Sequence, residues 1–453
     1  MRGCSMPCAW RRRALAAALC NTLFWPATVW PQPLGLPTLH GPAPIHGQIA
    51  APVREAAAPL TLDEAWTLAL SASPRLAAAA FELQAQDGSV QQAGVLPNPV
   101  VEMSIEDTQT RATRTRTVQL NQLIELGGKR SARVGAAERG REVAAAELEM
   151  ARLDLRATVR LAFVDVLLAQ ERLRLSEEAH AVARRAAETV ARRVTAGKVS
   201  PVEQTRAGVE EASARVEVSQ ARGELTAARQ RLAAAWGGRE PRFTRAEGRL
   251  SLPEPPSAEA LAARMQASPV LSRARLEVQR RQALAEVERS RRMPDLTVSV
   301  GSKRAEDLGR SQTLVGVSIP LPLFDRNQGN VLEALRRADK ARSEQLATET
   351  DLAAALAQAC ESLNTARLEA ETLRREVLPG ARSAYQAASK GYELGKFAYL
   401  DVLDAQRTYF QTQFQHLRAL AQAHRAAAEI ERVLGAGEAG AAEQKRSQAW
   451  KAN

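Results

Sequence analysis

Cysteine is scarce in this chain. There are four among 453 residues, with Cys4, Cys8 and Cys20 inside the first twenty positions and Cys360 alone in the rest. The body of the chain therefore carries neither a disulfide framework nor cysteines at metal-ligand spacing. Aromatic residues make up only 4%. Arginine runs such as Arg11, Arg12 and Arg13 have no aromatics interleaved with them, which argues against single-strand nucleic-acid binding, and no nucleic-acid partner is expected. No G-x-S-x-G, P-loop or H-E-x-x-H occurs, so the chain does not read as an enzyme and no cofactor is expected. The histidines are five: His40, His46, His180, His416 and His424. The last two are two helical turns apart, too far to share one metal without a third ligand, and no metal site is expected. Proline is missing from the whole stretch between Pro99 and Pro201.

Charged residues are abundant at 25%, with a formal net charge of +11. The arginines are scattered among glutamates along Ala- and Leu-rich stretches, the composition of long packed helices with solvated faces rather than of a phosphate-binding stripe. At the N-terminus, Arg11, Arg12 and Arg13 precede a short apolar run that ends at Pro26. This reads as a secretory signal over residues 1–30, too short for a membrane span. No clean small-x-small cleavage site follows. Leu19 stands where a lipobox before Cys20 wants a small residue, so both the cut and lipidation of Cys20 stay open. Residues 31–59 are a Pro-rich linker.

An internal repeat dominates the rest. GKVSPVEQTRA (197–207) and GKFAYLDVLDAQR (395–407) share a turn 198 positions apart, and Gly237 and Gly435 end two further segments at the same offset. ELGGKR (125–130) falls opposite LFDRNQ (323–328), and Pro74 opposite Pro269 with a small drift. The chain is thus expected to be a tandem duplication, 60–239 and 257–437, joined by 240–256 and followed by a polar tail, 438–453.

Each copy repeats one plan. A short helix leads to a Pro-punctuated turn, LPNPV in the first copy and RMPDL in the second. A pair of strands follows, with Val101, Met103 and Ile105 or Val298 and Val300 alternating with polar residues, which gives one apolar and one polar face. Next comes a very long helix. If 131–194 is continuous it spans about 95 Å. After the turn, Val218, Ala221, Leu225, Ala228, Leu232 and Ala235 step as a heptad seam. Four strands cannot bury their own edges, and helices this long lack partner surface within one chain. A ring of several copies resolves both shortages, closing the strands into one barrel and the helices into another.

The motifs LTLDEAWTLALSASPRL (60–76), GVLPNPV (94–100), ELGGKR, VSIPLPLFDRNQG (317–329) and YELGKFAYLDVLDAQR (392–407) resemble the outer-membrane efflux proteins, the TolC-like channels. The combination of LGGKR with LPLFDRNQG is most similar to the branch serving heavy-metal pumps of the cobalt-zinc-cadmium and copper-silver types. The resemblance covers nearly all of the chain after Leu60. It implies a mainly α fold with a small β part: tandem helical hairpins forming a trimeric α-barrel, plus four strands per chain in a twelve-stranded transmembrane β-barrel. It also implies a homotrimer in the outer membrane, in contact with its lipid, and two partners, a periplasmic adaptor and an inner-membrane resistance-nodulation-division pump. By the same resemblance, Asp401 and Asp404, with Glu203 in the first copy, narrow the periplasmic aperture. Tyr392 matches the gate tyrosine, and Phe397 replaces the arginine found near this turn in the best-known members. Gly197, Lys198, Gly395 and Lys396 form the tips that meet the adaptor.

The residues themselves offer plainer roles. Ser200-Pro201-Val202-Glu203 reads as a capping box, sufficient reason for Glu203. Asp401 lies where a helix dipole favours an acid. Asp401 and Asp404, three apart, share a face and in a trimer would make carboxylate rings that attract cations. The expected function is a passive export duct for heavy-metal cations. A drug or protein duct of the same family, or a non-membrane coiled-coil scaffold, is the alternative.

Overall fold

A computed structural model describes Glu55 and residues 57–435. The signal, all of the tail at 438–453, Cys4, Cys8, Cys20, His40 and His46 lie outside the described residues, as does the linker apart from its last few positions.

The first helix, α1 (Leu62–Ala72), starts at Thr61, whose side chain accepts from Glu64 N while the Glu64 carboxylate accepts from Thr61 N at 2.8 Å. The sequence predicts one short helix ahead of the strands, but there are two. Pro74 has no N–H to continue α1 and its fixed φ instead opens α2 (Pro74–Ala93). Pro269 does the same in the second copy, separating α5 (Ala258–Gln266) from α6 (Pro269–Ser290). Each helix pair leads to two strands, β1 (Val100–Glu106) and β2 (Thr115–Ile124), then β3 (Leu296–Ala305) and β4 (Arg310–Ser318).

The predicted long helix is continuous. α3 (Lys129–Thr195) has 67 residues, about 100 Å at 1.5 Å each. Its return partner is α4 (Pro201–Ala234), which buries Val218, Ala221, Ala228 and Leu232 of the expected seam. The second copy differs. α7 (Gln328–Thr372) runs into one π turn at Leu373–Val377 before α8 (Leu378–Glu393), and α9 (Tyr399–Leu434) returns. Pro379 accounts for the break: it cannot donate to the carbonyl four residues back, and the backbone widens ahead of it, with Leu378 N reaching Leu373 O five residues back.

All four strands form one antiparallel sheet in the order β1-β2-β3-β4, so β1 and β4 are its edges within the chain. The β2–β3 joint pairs ten residues of each strand and fuses the two copies. Register lines up rows across the sheet. Val101, Leu120, Val300 and Val315 share one face, as do Met103 and Val118 and, further along, Val298 and Val317. The opposite face carries Glu102, hydrogen-bonded by Gln119 at 2.8 Å and Asn121 at 3.1 Å, and Lys303 at 3.8 Å from Glu106. Val315 (75% exposed) and Met103 (74%) leave the apolar face uncovered. No helix among the described residues is long and apolar enough to cross a membrane.

The inter-repeat segment, read from sequence as a linker, is a packed strap. Phe243 is fully buried, Leu60 pairs with Ala246, and Gln170 of α3 bonds the Ala246 backbone on both sides at 2.8 and 3.1 Å. The Glu55 carboxylate accepts from Arg242 N and Phe243 N. This strap, α1 and α4 build one apolar core against the middle of α3 around Val159, Phe163 and Val166. A second core joins α6, α7 and α9 around Leu271 and Leu363.

Candidate functional site

The two helical hairpins end in the same turn. Gly197 and Gly395 have φ of +70° and +73°. Lys198 N donates to Arg193 O at 2.9 Å and Gly197 N to Val194 O at 2.9 Å. In the second copy Lys396 N donates to Gly391 O at 2.8 Å and Gly395 N to Tyr392 O at 3.0 Å. These paired bonds are the Schellman closure, which needs a left-handed residue. Nothing lies within 4 Å of where a side chain would start on either glycine, so backbone conformation alone requires them. Lys198 and Lys396 stand exposed beside them.

Behind the turns the hairpins share an apolar cluster: Val190 and Ala207 from the first, Ala388, Tyr392, Tyr399, Val402 and Leu403 from the second. The Tyr392 and Tyr399 rings are 5.8 Å apart. Arg193 of α3 ties the cluster together. Its guanidinium carbon sits 4.1 Å above the Tyr392 ring, and its nitrogens donate to Tyr392 O at 3.1 Å and Glu393 O at 3.3 Å. One cation thus stacks on an aromatic face and caps the C-terminal carbonyls of α8, where a positive charge is favoured. Lower down, Arg407 of α9 reaches Glu210 of α4 at 2.5 Å. Burial pushes the Tyr399 hydroxyl up to about 12, with Glu210 adding to it, and raises Tyr392 against the opposing pull of Arg193.

Glu203 is half-buried, with one carboxylate oxygen enclosed and unpartnered, as is the Tyr392 hydroxyl. The capping-box reading of this acid is corrected. Ser200 accepts from Val202 N at 3.3 Å, and no reciprocal bond from Ser200 N to Glu203 forms, so Ser200 caps α4 alone. Asp401 and Asp404 are exposed, outside the apolar cluster. The Asp401 carboxylate accepts from Ala398 N at 3.0 Å, which makes it a cap of α9. The bond to Glu210 raises the Arg407 guanidinium, and Asp404 adds a little to that. Glu203 and Tyr392 thus each hold an enclosed polar oxygen without a partner, while the acid pair stays at the surface.

Sequence reasoning missed Arg193, Tyr399 and the Arg407–Glu210 pair. The repeat offset held a signal: Arg193 aligns with Gly391, Val194 with Tyr392, and Val199 with Phe397, so the copies diverge where they meet. Phe397 packs onto Gly391, where any side chain would collide with its ring. Among the described residues, no group of three or more His, Cys, Asp or Glu side chains is placed to hold a metal ion.

Long helical hairpins, closed at their tips and joined to a sheet with one apolar and one polar face, define a channel-forming class of chain. The outer membrane efflux protein family model matches residues 66–238 and 261–436, and the chain belongs to that family. It is 50% identical over 383 residues to the cobalt-zinc-cadmium resistance protein CzcC of Cupriavidus metallidurans, covering 84% of this chain and 91% of that protein. With the nickel and cobalt resistance protein CnrC of the same organism it shares 30% identity over 353 residues, 76% of this chain and 79% of that one. Among solved structures, the Campylobacter jejuni CmeC outer membrane channel superposes with a TM-score of 0.71 at 16% identity, covering 83% of this chain and 85% of that chain. The fold is that of the outer-membrane efflux channels, and the scaffold alternative falls with it.

Proposed function

We propose that the protein is the outer-membrane duct of a tripartite export system for heavy-metal cations and works as a homotrimer. The observation that carries the duct reading is the sheet: one face apolar and uncovered, the other polar, with both edges unpaired within the chain. Three copies would supply twelve strands and close those edges, with the polar face lining the pore. The cation reading rests on the 50% identity to a protein named for cobalt, zinc and cadmium resistance. A periplasmic adaptor and a resistance-nodulation-division pump in the inner membrane would complete the path, and the duct would be passive.

In this reading 60–239 and 257–437 are the two copies of a duplicated unit. The tips Gly197, Lys198, Gly395 and Lys396 meet the adaptor. Asp401 and Asp404 ring the periplasmic aperture, while Glu203 and Tyr392 help hold it shut from behind. The exposure of both lysines and both aspartates supports these roles. Deleting the gene and measuring cellular zinc, cobalt and cadmium, alongside a dye and a hydrophobic antibiotic, tests the function. Metal accumulation that complementation reverses, with dye and antibiotic unchanged, is expected. Accumulation of dye or antibiotic alone would make this a drug duct instead.

A further inference from the structure

The apolar face of the sheet ends abruptly. At the end of the strands away from the helices, one row across the sheet reads Ile105, Arg116, Arg304, Ser311. Arg116 and Arg304 are direct partners in the β2–β3 register, on the same face as Val118, Leu120, Val300 and Val315. Like charges placed directly opposite each other on a sheet repel unless an anion lies between or over them. Both arginines are exposed. Among the described residues Arg116 has no ion pair, and Arg304 has only Glu306, at 4.0 Å. Arg114, just before β2, is engaged by the hairpin loop, donating to Thr108 O at 3.0 Å. The other nearby charges in the strands, Glu106, Lys303 and Arg310, lie on the polar face.

The height of the row matters. From the arginines to the row of Ile124 and Leu296 is eight residues, about 27 Å along a strand and about 20 Å along the axis of a barrel tilted by about 40°. By the β3–β4 register Ile319 (50% exposed) falls in that same row, and the exposed apolar residues Leu321 (77%), Leu323 (65%) and Phe324 (91%) follow it in the chain. The arginines thus stand at one edge of an apolar belt of bilayer thickness. None of the four strands contains an aromatic residue, so no girdle of tryptophan or tyrosine occupies that edge.

We propose that Arg116 and Arg304 form a lipid-facing site for the phosphate-bearing headgroup of an anionic lipid in the leaflet on the loop side, one site per protomer. The proposal rests on the membrane-duct reading above. The phosphate supplies the counter-charge the row lacks, and its acyl chains lie along the Val118, Leu120, Val300 and Val315 surface. Arginine suits the role because its planar fork takes two phosphate oxygens at once.

The test uses the full trimer in detergent, with diphosphorylated lipid A, the same lipid stripped of phosphate, and inorganic phosphate as probes, read by native mass spectrometry. R116Q/R304Q is expected to weaken retention of the phosphorylated lipid about thirtyfold, on the scale of two arginines at an anionic lipid surface. The charge-matched K303Q/R310Q, on the polar face, is expected to leave it unchanged. If the double variant fails to assemble, R304Q alone decides, with an expected loss of about fivefold. Equal loss in both double variants, equal retention of the stripped lipid, or equally tight binding of inorganic phosphate would each overturn the proposal. Metal export that persists beside any of these results would leave the duct reading intact.

Discussion

Arg193 makes three contacts with one side chain: the Tyr392 ring and two terminal carbonyls of α8. Arg193→Ala removes a stacked cation and two charge-assisted bonds, a loss of about 1–3 kcal/mol at the tips. The expected result is higher resting conductance in planar bilayers and faster proteolysis between the hairpins. Arg193→Lys should recover little, because an ammonium cannot stack as a planar group while reaching both carbonyls. Wild-type conductance in both variants would show that the tips are held by other means. Two histidines give a pH dependence. Burial holds His424 below its ordinary value, with Arg160 adding to the effect and the Ser251 backbone opposing it, and His416 is lowered by burial and Arg374. For a group lowered in the fold, the unfolded chain binds more protons through the window between the two values. Stability is therefore complete above the unfolded value of about 6.5 and is lost as pH falls below it. The trimer's melting temperature should drop between pH 7 and pH 5, and H416Q/H424Q should flatten that slope.

At the scale of elements, the joint between the copies depends on one small residue. A side chain at Gly301 would begin 2.6 Å from Val118 O and 2.7 Å from Gln119 Cβ, backbone-close contacts that a flexible tip cannot relieve. Gly301→Ala should cost about 1–3 kcal/mol and expose the β2–β3 ladder to hydrogen exchange, while Gly316→Ala, with open room to 3.7 Å, should be mild. What the sequence made legible follows the same division. Period-two alternation and the Gly-Lys turns signalled the strands and tips, because local pattern alone dictates both. The split at Pro74, the π turn before Pro379 and the buried strap around Phe243 were not visible. Each depends on how a segment meets α3 or its own helix ladder, and a linker rich in Pro, Glu and Arg looks the same whether free or docked. At the site, motif alone singled out Tyr392 and Glu203 as candidates, whereas Arg193 looks like any other arginine on a long helix until its neighbour is known.

For the whole molecule, the uncovered face of the sheet sets the requirement for a membrane. Val315 sits midway along the apolar rows, and Val315→Lys should cost about 2–4 kcal/mol of barrel stability through burial of a charge in lipid. Ser318→Lys, on the polar face, should be tolerated. The check is the yield of heat-resistant trimer from outer membranes. Equal yields would mean that the valine face meets protein rather than lipid.

The two hairpins are also unequal as mechanical parts. α3 is an unbroken strut of 67 residues, clamped at its middle by the strap and α1. The opposing member, α7 through α8, contains a joint at Leu373–Val377 where one turn already holds an extra residue, bonded five residues back rather than four. Under load a series of springs yields at its softest element, so force applied at the tips bends the second hairpin about residue 375 while the first stays straight. Spin labels should then report a broad distance distribution between α8 and α3 below that joint and a narrow one above it. Pro379→Ala, by letting the ladder return to bonds four residues back, should narrow the first and slow opening of the pore.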